Sequence, residues 1–324
     1  MRSGERPLRL RQWSCTGTLS RVAALLPSVS ISRVAALPPS VFSLPGRCAP
    51  ALRQKSPGSL GTTVAAVTSA QRDLLAPLLE LPGVADAAEA ARSALGKAHR
   101  HRTNLRNWPV TAAESTVRGA RSSSALDGGG IQLEAATGSV DPVLAGALRA
   151  GQAIEGGATN LVGTWPRAPL QALARLHALA AADLVDDDTR LGRPRQTPEM
   201  AARLDLMTRL VTGGSAAPAP VLAAVAHGEI LALTPFGSAD GVVARAVSRL
   251  VTIATGLDPH GLGVPEVYWL RRPEEYREAA AAFAGGQPDG VGAWVLMCCR
   301  ALEDGAREAL SIAEAVSGQP RQDQ

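Results

Sequence analysis

Residues 233–245 read LTPFGSADGVVAR, and they separate two apolar, alanine-rich runs. Pro235 cannot continue the run before it, because it lacks an N–H and its ring collides with the preceding helical turn. Gly237, Ser238 and Gly241 supply the small residues of a tight turn, and the apolar period resumes at Val242 and stops at Gly256. A helix, a tight loop and a second helix are therefore expected. Backbone amides around Ala239 to Gly241 would then open at a helix N-terminus, which is an anion site by construction. Arg245 lies four residues after Gly241, one turn in, where its guanidinium can face that mouth. No histidine, cysteine or metal-ligand cluster lies in the stretch to declare a chemistry.

The helical period extends outward in both directions. Residues 70–83 form a short amphipathic segment, and 84–102 a longer helix that turns basic at its C-terminal end through Lys97, Arg100 and Arg102, a solvated face that also fits a phosphate patch. In 108–130, Thr111 and Glu114 have capping-box spacing, and three glycines after Asp127 end the helix. Further helices are expected at 141–155, 169–184, 198–211, 217–232, 240–255, 273–283 and 290–316. Alternating strand patterns are nearly absent, so the body is mainly α around one core.

At 324 residues and 46% hydrophobic content the chain can bury a large core, in one or two domains. Its charge is unevenly placed. Nine basic residues against Glu5 give residues 1–57 a charge of +8, which leaves −4 for the rest of a chain whose total is +4. The folded part is mildly acidic, which argues against nucleic-acid binding. Residues 1–57 also hold a short duplication, SRVAALLPSVSI followed by SRVAALPPSVFS, and are Arg- and Ser-rich and poor in acids. They are read as a disordered or mis-called leader with a transit-peptide-like character, and residues 58–324 as the domain. Cys15, Cys48, Cys298 and Cys299 lack the spacing of a zinc site or disulfide framework, and no apolar window is long enough to span a membrane. A cytoplasmic setting follows from that reading.

The 234–245 loop resembles the signature of the Fic (Fido) family, H-P-F-x-[DE]-G-N-G-R-x-x-R. Pro235, Phe236, Gly241 and Arg245 match it. SSSALDG, residues 122–128, is similar to the family's inhibitory motif [ST]-x-x-x-E-[GN], with Ser123 first, Asp127 in the glutamate's place and Gly128 after it. LQALARLHALAA, 170–181, resembles the helix before the family's flap, with His177 on it, and 267–309, with Trp294, resembles the closing pair of helices. The resemblance covers roughly residues 70–316 and keeps the family's order along the chain. It implies a Fic-like helical bundle, with ATP and Mg²⁺ as ligands, a protein as partner and AMP transfer to protein hydroxyls as the family's activity.

The departures fall on the chemistry. The family's general base is a histidine, and Thr234 stands there without a pKa suited to taking a proton near neutral pH. Ser238 replaces the Mg²⁺-binding acid and is a poor sole ligand for a hard cation. Val242 replaces the first arginine. Asp240 stands where the family has a neutral asparagine; it can cap its own helix by accepting from the amides of Val242 or Val243, and it repels an incoming phosphate. The resemblance also pairs the inhibitory acid with the second arginine, here Asp127 with Arg245, while the residues alone allow DGGG to be a plain polar turn. VDDDTRLGRPRQTP, 185–198, has no alternating strand, so the β-hairpin flap is expected to be reduced or absent.

His177 on its apolar face reads as a packing histidine, Cys298 and Cys299 as core thiols, and GLGVPE, 261–266, as no dinucleotide loop. Three functions stay open: a catalytically impaired Fic-fold binding or regulatory module, a transferase that uses another base, with His227 nearest in sequence, and a plain α-helical interaction protein.

Overall fold

The structure is a computed structural model, and it describes residues 73–133, 140–155 and 161–318. The expectations for residues 1–57 and for a domain start at residue 58 lie outside the described residues. Within them the chain forms α1 (Val84–His99), α2 (Arg102–Leu126), α3 (Pro142–Glu155), α4 (Leu161–Thr164), α5 (Pro169–Ala181), α6 (Pro198–Arg209), α7 (Ala219–Leu233), α8 (Asp240–Ala254), α9 (Pro265–Leu270), α10 (Pro273–Gly285) and α11 (Pro288–Gly318). No strand occurs among the described residues. The fold is mainly α, and the flap region contributes only a 3-10 turn at Asp188–Arg190.

α7 is the centre. Its sequence, APVLAAVAHGEILAL, is apolar on every side, and thirteen of its fifteen residues are buried. A helix without a polar face must be surrounded, and α8, α11, α10, α6 and α1 pack around it. Close approach depends on small residues: a Cβ on Gly228 would lie 2.6 Å from the Phe283 ring and 2.7 Å from Trp294 Nε1. Trp294 in turn donates from Nε1 to the Ala224 carbonyl at 2.8 Å, which satisfies its one polar atom inside the core.

The sequence reading needs correction at several ends. Of the segment expected at 70–83, the described part, 73–83, holds a 3-10 turn, Ala76–Glu80, with Pro at its start. The helix expected over 84–102 stops at His99, and a new one starts at Arg102, where the His101 ring accepts from the Thr103 amide at 3.4 Å. α2 breaks its helical angles at Asn107, and Pro109 follows within the first turn of the second segment, where a missing N–H costs nothing. Thr111 is consequently no cap. Its hydroxyl donates to the Trp108 carbonyl at 3.2 Å, and Glu114 instead accepts from Arg118 at 2.8 Å. The stop after Asp127 forms as a Schellman closure, with Gly128 at φ +81°, its amide on Ala125 O at 3.1 Å and the Gly129 amide on Ser124 O at 2.9 Å.

Candidate functional site

α7 ends at Thr234 and α8 starts after Ala239, and both flanking residues take left-handed backbone angles, φ +41° and +52°. This turns the chain sharply back, so the loop closes against the N-terminus of α8. Phe236 is buried and anchors the loop. Asp240 sits in the first turn of α8 with its side chain directed back over the loop. Its carboxylate accepts from the Phe236 amide at 3.0 Å and the Gly237 amide at 2.7 Å. The expected cap on Val242 or Val243 does not form, because Asp240 lies inside the helix rather than before it, and the Val243 amide bonds to the Ala239 carbonyl at 2.9 Å. Burial pushes the Asp240 carboxyl up to about 6, against the pull of those two amides and of Arg195, and the neighbouring Asp127 adds to the rise.

Arg245 lies one turn into α8 and is 2% exposed. Its Nη2 pairs with Asp127 Oδ2 at 2.9 Å and donates to Ser123 O at 3.0 Å, while Nε donates to Ser123 Oγ at 2.7 Å. Nη1 reaches the Tyr276 hydroxyl at 3.4 Å. Burial opposes its charge, but the Asp127 carboxylate and the Tyr276 oxygen hold the guanidinium protonated. Asp127 also lies against Gly241: a Cβ there would be 2.5 Å from Oδ1. The carboxylate that sits on the unfavourable end of α2 therefore sits on the favourable end of α8, which offsets the dipole cost. Val242 is buried and offers the mouth no charge.

His177 joins three segments. Its Nδ1 accepts from the Gly192 amide at 2.9 Å, its Nε2 lies 3.1 Å from Ser238 Oγ, and its ring stacks on Phe236 with centroids 4.0 Å apart. An accepting Nδ1 requires the proton on Nε2, so the ring donates to Ser238 and cannot take its proton. Burial lowers the imidazole to about 4, which keeps it neutral. Beside it, Arg195 crosses from the flap segment to the loop. Its amide donates to Pro235 O at 2.8 Å, and its Nη2 donates to Leu233 O at 3.0 Å, Thr234 O at 2.6 Å and Thr234 Oγ1 at 2.9 Å. Thr234 is thus held by a cation and is unsuited to serve as a base. Nothing in the sequence marks Arg195 among the arginines of its polar segment.

His227 is enclosed by Trp269, Tyr276 and Trp294, and its Nε2 bonds to the Tyr276 hydroxyl at 2.8 Å. Burial drives its pKa well down, so the nearest histidine in sequence belongs to the core and not to the loop. Cys298 and Cys299 are buried free thiols; burial raises both, Cys299 to about 12. Lys97 and His99 close α1, and His99 turns to Asp258 at 2.7 Å. Pro265 starts α9, with Val264 just before it.

A solved structure of a Fic family protein from Desulfovibrio desulfuricans is similar to this chain, with a TM-score of 0.57 over 74% of this chain and 77% of that one, at 18% identity. The fold is Fic-like. No protein-family model and no curated protein sequence matches the chain. Of the residues the motifs single out, Ser123 and Asp127 contact Arg245, Asp127 also lies against Gly241, and Phe236 is buried in the loop. The donor set does not fit Mg²⁺: Ser238 offers one hydroxyl, itself facing His177, and the Asp240 oxygens already accept amide protons. No group of three metal-binding side chains occurs among the described residues.

Proposed function

We propose that this chain is a Fic-fold binding or regulatory module that does not transfer AMP. One observation carries the reading: the Asp240 carboxylate, in the first turn of α8, is held by the Phe236 and Gly237 amides of the loop, beside the helix N-terminus that would otherwise receive an anion. A bound phosphate would have to displace that carboxylate and bear its charge. The Asp127 pairing with Arg245 removes the one arginine of the loop from the same task. The Thr234, Ser238 and Val242 substitutions support the reading independently, since general base, metal ligand and phosphate contact are lost together. The working surface is then the folded scaffold itself, with a protein as its partner and the cytoplasm as its setting.

Calorimetric titration of the full chain with ATP and Mg²⁺ tests the closed mouth, and incubation with labelled ATP and a cell lysate tests the chemistry. Little or no heat of binding and no label on protein are expected. Label transferred to the chain or to lysate proteins, and lost in the Arg245→Ala variant, would overturn the proposal. Label transferred only by an Asp127→Gly variant would overturn it equally, by showing an active site that was merely restrained.

A further inference from the structure

Beneath the loop, a cavity of about 30 Å³ lies between α2, α3, α8 and α9, and Ser123, Val242 and Arg245 of the site above form part of its wall. Small residues, among them Gly119, Gly151 and Ala246, leave the space, and its wall carries Arg249 and Glu266. These two side chains are only 7% and 4% exposed. Arg249 spends Nη1 on Gly263 O at 3.1 Å and Nη2 on Gly261 O and on Thr116 Oγ1, while its Nε has no partner among the described residues. Glu266 Oε2, directed towards the bare Cα of Gly119, has none either. Among the described residues no ion pair joins the two. Both residues line the cavity, and each keeps one buried polar atom without a partner, which is costly unless a guest reaches it.

The chemistry of the guest follows from the wall. An anion would meet Glu266, a cation would meet Arg249 and Arg245, and an apolar guest would satisfy neither orphan. A water molecule needs roughly 10–15 Å³ of such space, so the cavity admits about two waters or one molecule of amide size. We propose that this cavity is a built binding site for a small neutral guest that donates a hydrogen bond to Glu266 and accepts one from Arg249. Its sources are ordered water and a small amide. The cavity shares Ser123, Val242 and Arg245 with the loop site but not the amides that Asp240 occupies.

Crystals of the full chain, untreated and soaked in formamide, test the assignment. Connected density within hydrogen-bond distance of Arg249 Nε and Glu266 Oε2 is expected in both. Resolved water peaks in both would assign the guest as water, and a planar amide in the soaked crystal alone would assign the wider class. A dry cavity, or Arg249 and Glu266 in direct contact, would overturn the proposal. Glu266→Met removes the acceptor, and the density beside Arg249 should then be lost or halved; should that variant not fold, the wild-type density decides.

Discussion

Ala239 holds a left-handed backbone angle, φ +52°, that residues with a Cβ adopt at a cost of about 1–2 kcal/mol. The Fic pattern has glycine at this position, so Ala239→Gly should relieve the strain while giving up one half-buried methyl contact with the core. Part of the gain is lost to the greater freedom of glycine in the unfolded chain, and a net stabilisation of about 0.5–1 kcal/mol is expected by denaturant unfolding. No gain would mean that the loop relaxes around Ala239. His177 makes a second prediction, through pH. Its folded pKa of about 4 lies below the ordinary 6.5, so the unfolded chain binds the extra proton between those values. The stability present above pH 6.5 is lost as pH falls towards about 4, by up to about 1.4 kcal/mol per pH unit. Asp240 works in the opposite sense, since its raised carboxyl favours the native state less as pH rises from 3.8 to about 6. The comparison of wild type with His177→Gln isolates the histidine: the stability difference between them should shrink as pH falls from 6.5, and a constant difference would show that the ring titrates normally. Asp240 also shows what sequence conveys at this scale. Its wrong charge for the mouth was legible from one residue type, whereas the amides it accepts depend on a backbone reversal that no residue spells out.

The flap segment is where element-level reading ran short. Its lack of alternating strand residues correctly excludes a hairpin, but the contacts that replace the hairpin come from a backbone amide and one guanidinium of Arg195. Long helices such as α8 and α11 announce themselves through many turns of apolar period. α9 has six residues, fewer than two turns, and the restart of α2 rests on a histidine cap, so both escape that signal. Arg195 is exposed, and exposed charged contacts add little to global stability. Arg195→Ala should therefore change unfolding free energy by no more than about 0.5 kcal/mol. Locally it frees the Leu233 and Thr234 carbonyls that end α7, so amide hydrogen exchange over residues 234–238 should quicken while exchange inside α7 and α8 stays as it was. Unchanged exchange in the loop would show that Phe236, His177 and Asp240 hold it alone.

For the molecule as a whole, sequence conveyed that one α-helical core exists, because α7 has no face that tolerates water. Which helices meet was not legible, since alanine-rich faces are nearly interchangeable and the decisive feature is how closely backbones approach. Gly146 on α3 is such a point. A Cβ there would fall 2.0 Å from the Ala180 carbonyl oxygen and 2.8 Å from its carbon, and a backbone carbonyl in mid-packing cannot swing aside like a side chain. Gly146→Ala must push α3 off α5. α3 also packs on α2 and α8 and supplies Gly151 to the polar cavity wall, so the shift is shared by the elements that carry Asp127 and Arg245. The expected cost is about 2–3 kcal/mol, read as a lower denaturant midpoint with an unchanged slope. Gly285→Ala, in the last turn of α10 with open space around the added carbon, is the control and should be neutral or stabilising by up to about 1 kcal/mol. Equal effects from the two variants would mean that α3 is free to move away from α5. The closure over Arg245 would then have to be held by α2 and α8 alone, through the Asp127 pair and the two Ser123 contacts.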